Sequence, residues 1–534
     1  MNATLLSVGD LFEGMPSGDD RHMADLLSPE TSKTKIGRSR SRSSWADMLD
    51  LAIDLQSDTP LLQQIYLILR EAILLRHLAP GSRLPSTRQL ADRLGVSRTS
   101  VLSAYDRLLG EGYIQGRTGS GTYVSDDVAE TVVMPARSPA RRDNPTTRRL
   151  SMAGIRYRDA SRSLGPPEEI AFTPGCTSVD AITIEAWRRV GLRQLKTLER
   201  VNLHYADPIG ELSLRTEVAQ YLRAARAVRC DPEQIVIVSG AQQAIDLSLR
   251  VLLDPGEAVW VEDPGYLGAR AALNAVGATI IPVPVDSSGL MVSEGLAAAP
   301  KARAAYITPS HQYPTGVVMS MRRRLDILAW ARDHDAWIIE DDYDSEFRYV
   351  GRPLASLQGI DSDARVIYVG TLSKMLFPGI RIGFAVVPHD LLDVFRGAKF
   401  VTDRQPPTLL QAMTTDFMRQ GFLNAHIRRV RQRYREARDV VVEAIKKHMG
   451  DLVDVEIPEC GIQLAIFFKK NISDVDVAIQ ARQQGIVVKP VSQLYLRVAP
   501  RQGLLLGYAG FDLHKLRTAS EKLATIVRKA SQSA

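Results

Sequence analysis

A lysine flanked by two hydroxyls, in Thr371-Leu372-Ser373-Lys374, follows the apolar run Val366 to Gly370, and Arg381 stands beyond Pro378-Gly379. A lysine amine partly withdrawn from water in a pocket loses enough charge to condense with an aldehyde. Neighbouring hydroxyls and an arginine suit a phosphate on the same molecule. The acid Asp341 ends the run Trp337-Ile338-Ile339-Glu340, with Asp342, Tyr343 and Asp344 following. A carboxylate so placed can make a charge-assisted hydrogen bond to a protonated ring nitrogen. Ser239-Gly240-Ala241-Gln242 follows Val236-Ile237-Val238 and opens a helix, offering free N–H groups to a phosphate. Far upstream, Arg98-Thr99-Ser100 stands at the start of a short helix, where donors reach base edges and phosphates.

The elements that position the lysine and the acid are short β-branched runs alternating with helical patterns. The strands are expected at Ile235 to Val238, Ala258 to Val261, Thr279 to Pro282, Ala304 to Thr308, Trp337 to Asp341, Val366 to Val369 and Ile382 to Val387. This alternation predicts an α/β fold with a mostly parallel sheet and helices on both faces. Ligands bind such sheets outside the carboxyl ends of the strands, which is where the loops above lie. A long helical stretch from about Leu423 through Lys447, then shorter strands and helices, predicts a smaller α/β lobe.

The arginine cluster belongs to a separate region. Thr59 is expected to cap a first helix that has Pro60 in its opening position, and Leu61, Ile65, Leu69 and Ile73 recur at helical spacing. Ser86 with Gln89 makes a capping box for a second helix that Gly95 closes. Ser97 caps a third, whose apolar face is read as Val101, Tyr105, Leu108 and Leu109, leaving Arg98, Thr99, Ser100 and Arg107 outward. Gly112 ends it, and two short strands flank the glycine-rich tip at residues 116–121. Between Arg76 and Arg117 the arginines outnumber Asp92, Asp106 and Glu111, so the local charge favours phosphates.

The 534 residues are 45% hydrophobic and 24% charged, as in ordinary globular proteins. No apolar run approaches the roughly 20 residues of a bilayer span, and the first thirty residues do not read as a secretory signal. No membrane partner and a cytoplasmic location are expected. Cys176, Cys230 and Cys460 show no metal-ligand spacing, so neither a metal site nor a disulfide framework is expected. The expected organisation is a disordered basic extension at 1–50, a DNA-binding domain at 51–126, a semi-extended Pro/Arg/Ser-rich linker at 127–165, and a second body at 166–534 with its small lobe mainly at 427–534.

The stretch LPSTRQLADRLGVSRTSVLSAYDRLLGEGYIQGRTGSGTYV resembles the GntR-type winged helix-turn-helix head. That resemblance implies Arg88, Arg98, Thr99 and the wing-tip Gly119 as contacts to double-stranded operator DNA; Ser100 joins them from its place at the helix start. Downstream, HYADPIG, SGAQQAIDL, VEDPGY, TPSHQYPTG, IIEDDYDSEFRY, GTLSKMLFPGIRIG and HIRRVRQRY resemble fold-type I aminotransferases, and more closely the MocR/GabR subfamily of GntR regulators. The resemblance implies large and small aminotransferase-like domains that bind pyridoxal 5'-phosphate. Lys374 would form the Schiff base, Asp341 pair with the pyridine nitrogen, Tyr343 meet the ring's phenolic oxygen and Tyr266 stack on the ring. Gly240, Ala241, Gln242, Thr371, Ser373 and Arg381 would hold the phosphate, with Tyr205 reaching in from a partner subunit of a head-to-tail homodimer. His311 stands where a contact to the ring oxygen is possible.

One departure bears on function. Aminotransferases usually place a carboxylate-gripping arginine ahead of a C-terminal strand that here reads GLLLGYAG, and this chain has Leu505, with Arg497 and Arg501 nearby. The expectation is a transcriptional regulator that senses the cofactor or a small amine or amino-acid-type effector; the alternative is a working aminotransferase whose DNA head controls its own supply.

Overall fold

The computed structural model describes residues 53–54, 57–117, 119–126, 149–161, 170–197, 204–351 and 354–533. The expected N-terminal extension and linker residues 127–148 lie outside the described residues. The chain divides into two compact units, Met1–Thr147 and Arg148–Ala534.

In the first unit, helices α1 (Leu61–Leu74), α2 (Thr87–Leu94) and α3 (Arg98–Gly110) precede the antiparallel strands β1 (Ile114–Arg117) and β2 (Gly121–Val124). Ile65, Leu69 and Ile73 of α1 pack with Leu90, Val101, Leu108, Ile114 and Val124 in one buried core. Two corrections to the sequence reading arise here. Pro60, not Thr59, occupies the N-cap of α1, and no side chain caps it. Leu109, expected to face inward, is 50% exposed. At 3.6 residues per turn, Leu109 lies about 100° round the helix from Leu108, and the narrow seam of α3 takes only one of the two.

The second unit holds an eight-stranded sheet of β3 (Ile235–Val238), β4 (Ala258–Asp263), β5 (Thr279–Asp286), β6 (Gly289–Leu290), β7 (Ala304–Ile307), β8 (Trp337–Asp342), β9 (Val366–Thr371) and β10 (Gly383–Val386). Their order is β3-β10-β9-β8-β7-β4-β5-β6; β4, β5, β7, β8 and β9 pair in parallel, and β10 runs antiparallel to both its neighbours. Strands β7, β8, β9 and β10 are buried along their whole length, as expected of a sheet covered on both faces, and so lack a polar alternation. Helices such as Ala241–Leu252 and Met321–Asp333 supply that cover.

A second, antiparallel sheet of β11 (Val453–Val455), β12 (Gln463–Phe468), β13 (Lys489–Pro490) and β14 (Gly503–Gly507) forms the small lobe with the helices Phe422–Met449 and Leu513–Ser533. Within the expected linker, Met152–Ser161 is helical and packs on the helix Leu267–Val276, with Arg250 hydrogen-bonded to the Tyr157 hydroxyl. Its ten residues bury nothing fully, so no apolar period marked the helix in the sequence. Among the described residues no helix is long and apolar enough to cross a membrane.

Candidate functional site

A cavity of about 480 Å³ opens at the carboxyl ends of β7, β8 and β9. It is lined by Tyr306, Asp341, Thr371 and Lys374, with Ala241, Tyr266 and Tyr343 also on its wall. Lys374 sits in the first turn after β9, whose helix is capped by Thr371 accepting from the Ser373 N–H. Its Nζ donates to the Gly175 carbonyl oxygen at 2.9 Å. A Cβ on residue 175 would fall 2.6 Å from that Nζ, so only glycine permits the approach. Burial pushes the Lys374 amine below the usual lysine range, which favours the neutral, nucleophilic form.

Two adjacent acids on β8 have opposite fates because successive side chains point to opposite faces of the strand. Asp342 is locked by Arg226 at 2.7 Å and by the Tyr368 hydroxyl at 2.6 Å. Asp341 receives only the Tyr306 hydroxyl, at 2.6 Å on Oδ2, and its buried Oδ1 has no partner among the described residues. Burial lifts the Asp341 carboxyl to about 7, with the Tyr306 bond working against it. A buried oxygen left unpaired costs about 1–3 kcal/mol, and a cationic donor arriving at Oδ1 would offset that cost.

Near the amino end of the helix Ala241–Leu252, Gly240 is the N-cap residue and Arg381 Nη2 donates to the Ser239 carbonyl oxygen. Gln242 accepts from the Tyr266 hydroxyl at 3.2 Å through Oε1 and donates from Nε2 to Gly268 O. Ser373 Oγ, on the turn that carries Lys374, is buried with no partner among the described residues. A helix N-terminus, an arginine and an unpaired hydroxyl are the donors a phosphate requires. On the other wall the Tyr343 hydroxyl lies 3.2 Å from His311 Nδ1, which is itself 2.8 Å from Asp344 Oδ1. His311 thus stands behind Tyr343 and is not part of the cavity wall.

Of the residues expected around the cofactor, Gly240, Gln242, Ser373 and Arg381 lie off the cavity lining, and Tyr205 stands in the open. It is 76% exposed, under the Arg404 guanidinium at 3.7 Å from the ring centre. Leu505 is fully buried. The sequence reading missed Gly175, Tyr306 and Lys489, all on the cavity wall. A tyrosine hydroxyl near the carboxyl end of the otherwise aliphatic β7 was the available signal for Tyr306; nothing local marks the other two.

In the head, the Ser86 capping box is complete and Gly95 adopts the left-handed conformation, so α2 stops and α3 starts within three residues. Arg88, Arg98 and Thr99 are exposed, and neither arginine is ion-paired among the described residues. Ser100 is half-buried, its N–H donating to Ser97 Oγ at 3.1 Å and its hydroxyl 2.9 Å from the same oxygen. Gly119 lies exposed at the wing tip with φ +75°. Arg117 and Arg107 are occupied, the first by Asp126 and the Tyr123 ring, the second by Glu111 and the Tyr66 ring.

Residues 61–124 match the bacterial regulatory proteins of the gntR family, and residues 175–523 match aminotransferase class I and II. The "Probable rhizopine catabolism regulatory protein MocR" of Rhizobium meliloti is 39% identical over 473 residues, spanning 89% of this chain and 95% of the relative. The pyridoxine biosynthesis regulator PdxR of Corynebacterium glutamicum is 31% identical, over 90% and 98% of the two chains. Among solved structures, kynurenine aminotransferase of Pyrococcus horikoshii, in complex with PMP, is 28% identical with a TM-score of 0.63, covering 71% of this chain and 95% of that one. The unpaired Asp341 oxygen, the Ser373 hydroxyl and the Lys374 amine fit pyridoxal phosphate, the cofactor of this domain class. The chain belongs to the MocR-type branch of the gntR family, DNA-binding transcriptional regulators that join a winged helix-turn-helix to a pyridoxal-phosphate-binding, aminotransferase-like domain.

Proposed function

We propose that this regulator senses a small primary amine in its aminotransferase-like domain and answers by changing the grip of its winged heads on operator DNA. Bound in the cavity, pyridoxal phosphate supplies an electrophilic carbon that accepts primary amines. Lys374 is the attachment point, its amine oriented by Gly175 O and its pKa lowered by burial. Asp341 offers Oδ1 to the ring nitrogen, and a cation there draws its carboxyl back to the ionised form. Tyr343, backed by His311 and Asp344, serves the ring oxygen, and Tyr266 covers the ring. Gly240, Ala241, Gln242, Thr371, Ser373 and Arg381 hold the phosphate.

Tyr205 lies outside its own protomer's cavity, so in this reading it serves a second copy, and two chains pair head to tail. Arg88, Arg98 and Thr99 contact bases and phosphates from the start of the reading helix, with Gly119 at the wing; Ser100 acts through the cap. Coupling requires only that the effector bind two arrangements of the heads unequally.

The observation that carries the reading is the unpaired, buried Asp341 oxygen in one cavity with the Lys374 amine. The test loads the full chain with cofactor, reduces one portion with borohydride to locate the attachment, and measures binding of a separate, unreduced portion to DNA from its own promoter with and without amines. Cofactor fixed on Lys374 and an amine-dependent change in DNA affinity are expected. A chain that takes up no cofactor, or amines that alter the cofactor spectrum and leave DNA binding untouched, would overturn it. Keto acid formed over many turnovers would identify the aminotransferase alternative, which the apolar Leu505 disfavours.

A further inference from the structure

The cavity that holds the Lys374 amine holds a second one. Lys489, on the short strand β13, lines the same wall as Tyr313 and Gln463. Its Nζ donates to the Tyr313 hydroxyl at 3.1 Å, which uses one of three hydrogens, and no carboxylate pairs with it among the described residues. In the small sheet Lys489 stands directly across from Leu505, so their side chains share one face. On that face Ala465, Val491 and Leu505 are buried in one apolar cluster beside Tyr313, and Gln463 is its neutral polar member. The neighbouring Arg270 adds positive potential, and burial together with that arginine pulls the Lys489 amine down to about 8. A cation half-withdrawn from water with no anion beside it is a cost that a visiting anion removes.

We propose that Lys489 is the specificity-determining residue of the amine site, anchoring an oxyanion of the carboxylate or sulfonate class at the end of the effector away from its amine. The inference rests on the amine-sensor reading above. Leucine at position 505 carries no charge itself; Lys489 brings one to the cavity wall from the adjacent strand, while Arg501 stacks on the Phe467 ring. An effector with an uncharged tail gains nothing from it. A purely structural lysine that only braces Tyr313 would treat charged and uncharged tails alike.

The test uses the cofactor-loaded full chain and follows the cofactor's absorbance. ω-Amino acids and aminosulfonates of increasing length, from glycine and taurine upward, are titrated against the alkylamine of equal length. At one length or more the oxyanion probe is expected to bind about tenfold or more tighter than its alkylamine, the size of a charged hydrogen bond. K489M is expected to collapse that ratio to near unity, and K489R to keep most of it. A wild-type chain with no preference at any length overturns the proposal. So does a K489M chain that retains the ratio, including one in which both affinities fall together. A chain that never develops the cofactor's absorbance defeats the sensor reading itself, whereas a loaded chain indifferent to oxyanions defeats only this inference.

Discussion

The two units solve recognition in opposite ways. In the head, polar groups are satisfied locally: Ser86, Gln89, Ser97 and Ser100 close their bonds within three residues, and Arg88 and Arg98 stand in water. In the aminotransferase-like unit, the polar groups that matter are buried and incomplete, with Asp341 Oδ1 and Ser373 Oγ unpaired among the described residues. A DNA reader presents charge that water keeps cheap until phosphates replace it. A small-molecule pocket stores unmet hydrogen bonds that its ligand completes. The difference teaches that ligand should stabilise the second unit strongly, while the first depends on its caps.

That contrast can be broken at several points. The largest effect is expected for Lys374→Ala, which abolishes borohydride-fixed cofactor; mass spectrometry of the reduced protein checks it, and retained label would remove Lys374 from its role. Asp341→Asn keeps the shape and loses the charge, so cofactor affinity should fall about 10- to 100-fold, the worth of a charged hydrogen bond. Equilibrium dialysis reads this, and an unchanged constant would mean that Oδ1 faces no cation. Arg98→Ala should weaken specific DNA binding about 5- to 100-fold, measured by fluorescence anisotropy at fixed salt, with cofactor content unaltered.

A smaller, graded effect concerns pH. Because the Lys489 amine sits near 8, it is mostly charged below that pH and neutral above it, so the preference for oxyanion over alkyl probes should fade as pH rises through about 8. Tyr313, which bonds it, and Arg270, which depresses it, are the groups facing it; a flat ratio across the window would show that its charge plays no part. The smallest effect is expected for Ser86→Ala, a lost cap worth about 1 kcal/mol. For a domain the size of the head this lowers its melting by about 4–8 °C, visible by calorimetry of the full chain, and leaves the cofactor-stabilised transition in place.

How much was legible followed the range of the interactions. Caps, glycine stops and the β1–β2 hairpin are written within a few residues, and the carboxyl ends of β8 and β9 announced Asp341 and Lys374 through abrupt switches from aliphatic to polar residues. The helix Met152–Ser161 escaped because nothing in it is fully buried. Leu109 was misplaced because apolar character alone does not say which of two adjacent leucines a narrow seam accepts.

By itself, the sequence determined the two-part organisation and the run of strands β3, β4, β5, β7, β8, β9 and β10, and it singled out Lys374 and Asp341 at strand ends, because periodicity and strand-end chemistry are short-range properties. The tertiary structure decided which groups share the pocket. Lys374 meets Gly175 from 199 positions away, Tyr306 takes one oxygen of Asp341 from a neighbouring strand, and Lys489 enters from the small lobe. Those meetings depend on sheet order and on the docking of one lobe against another, which no local spacing encodes.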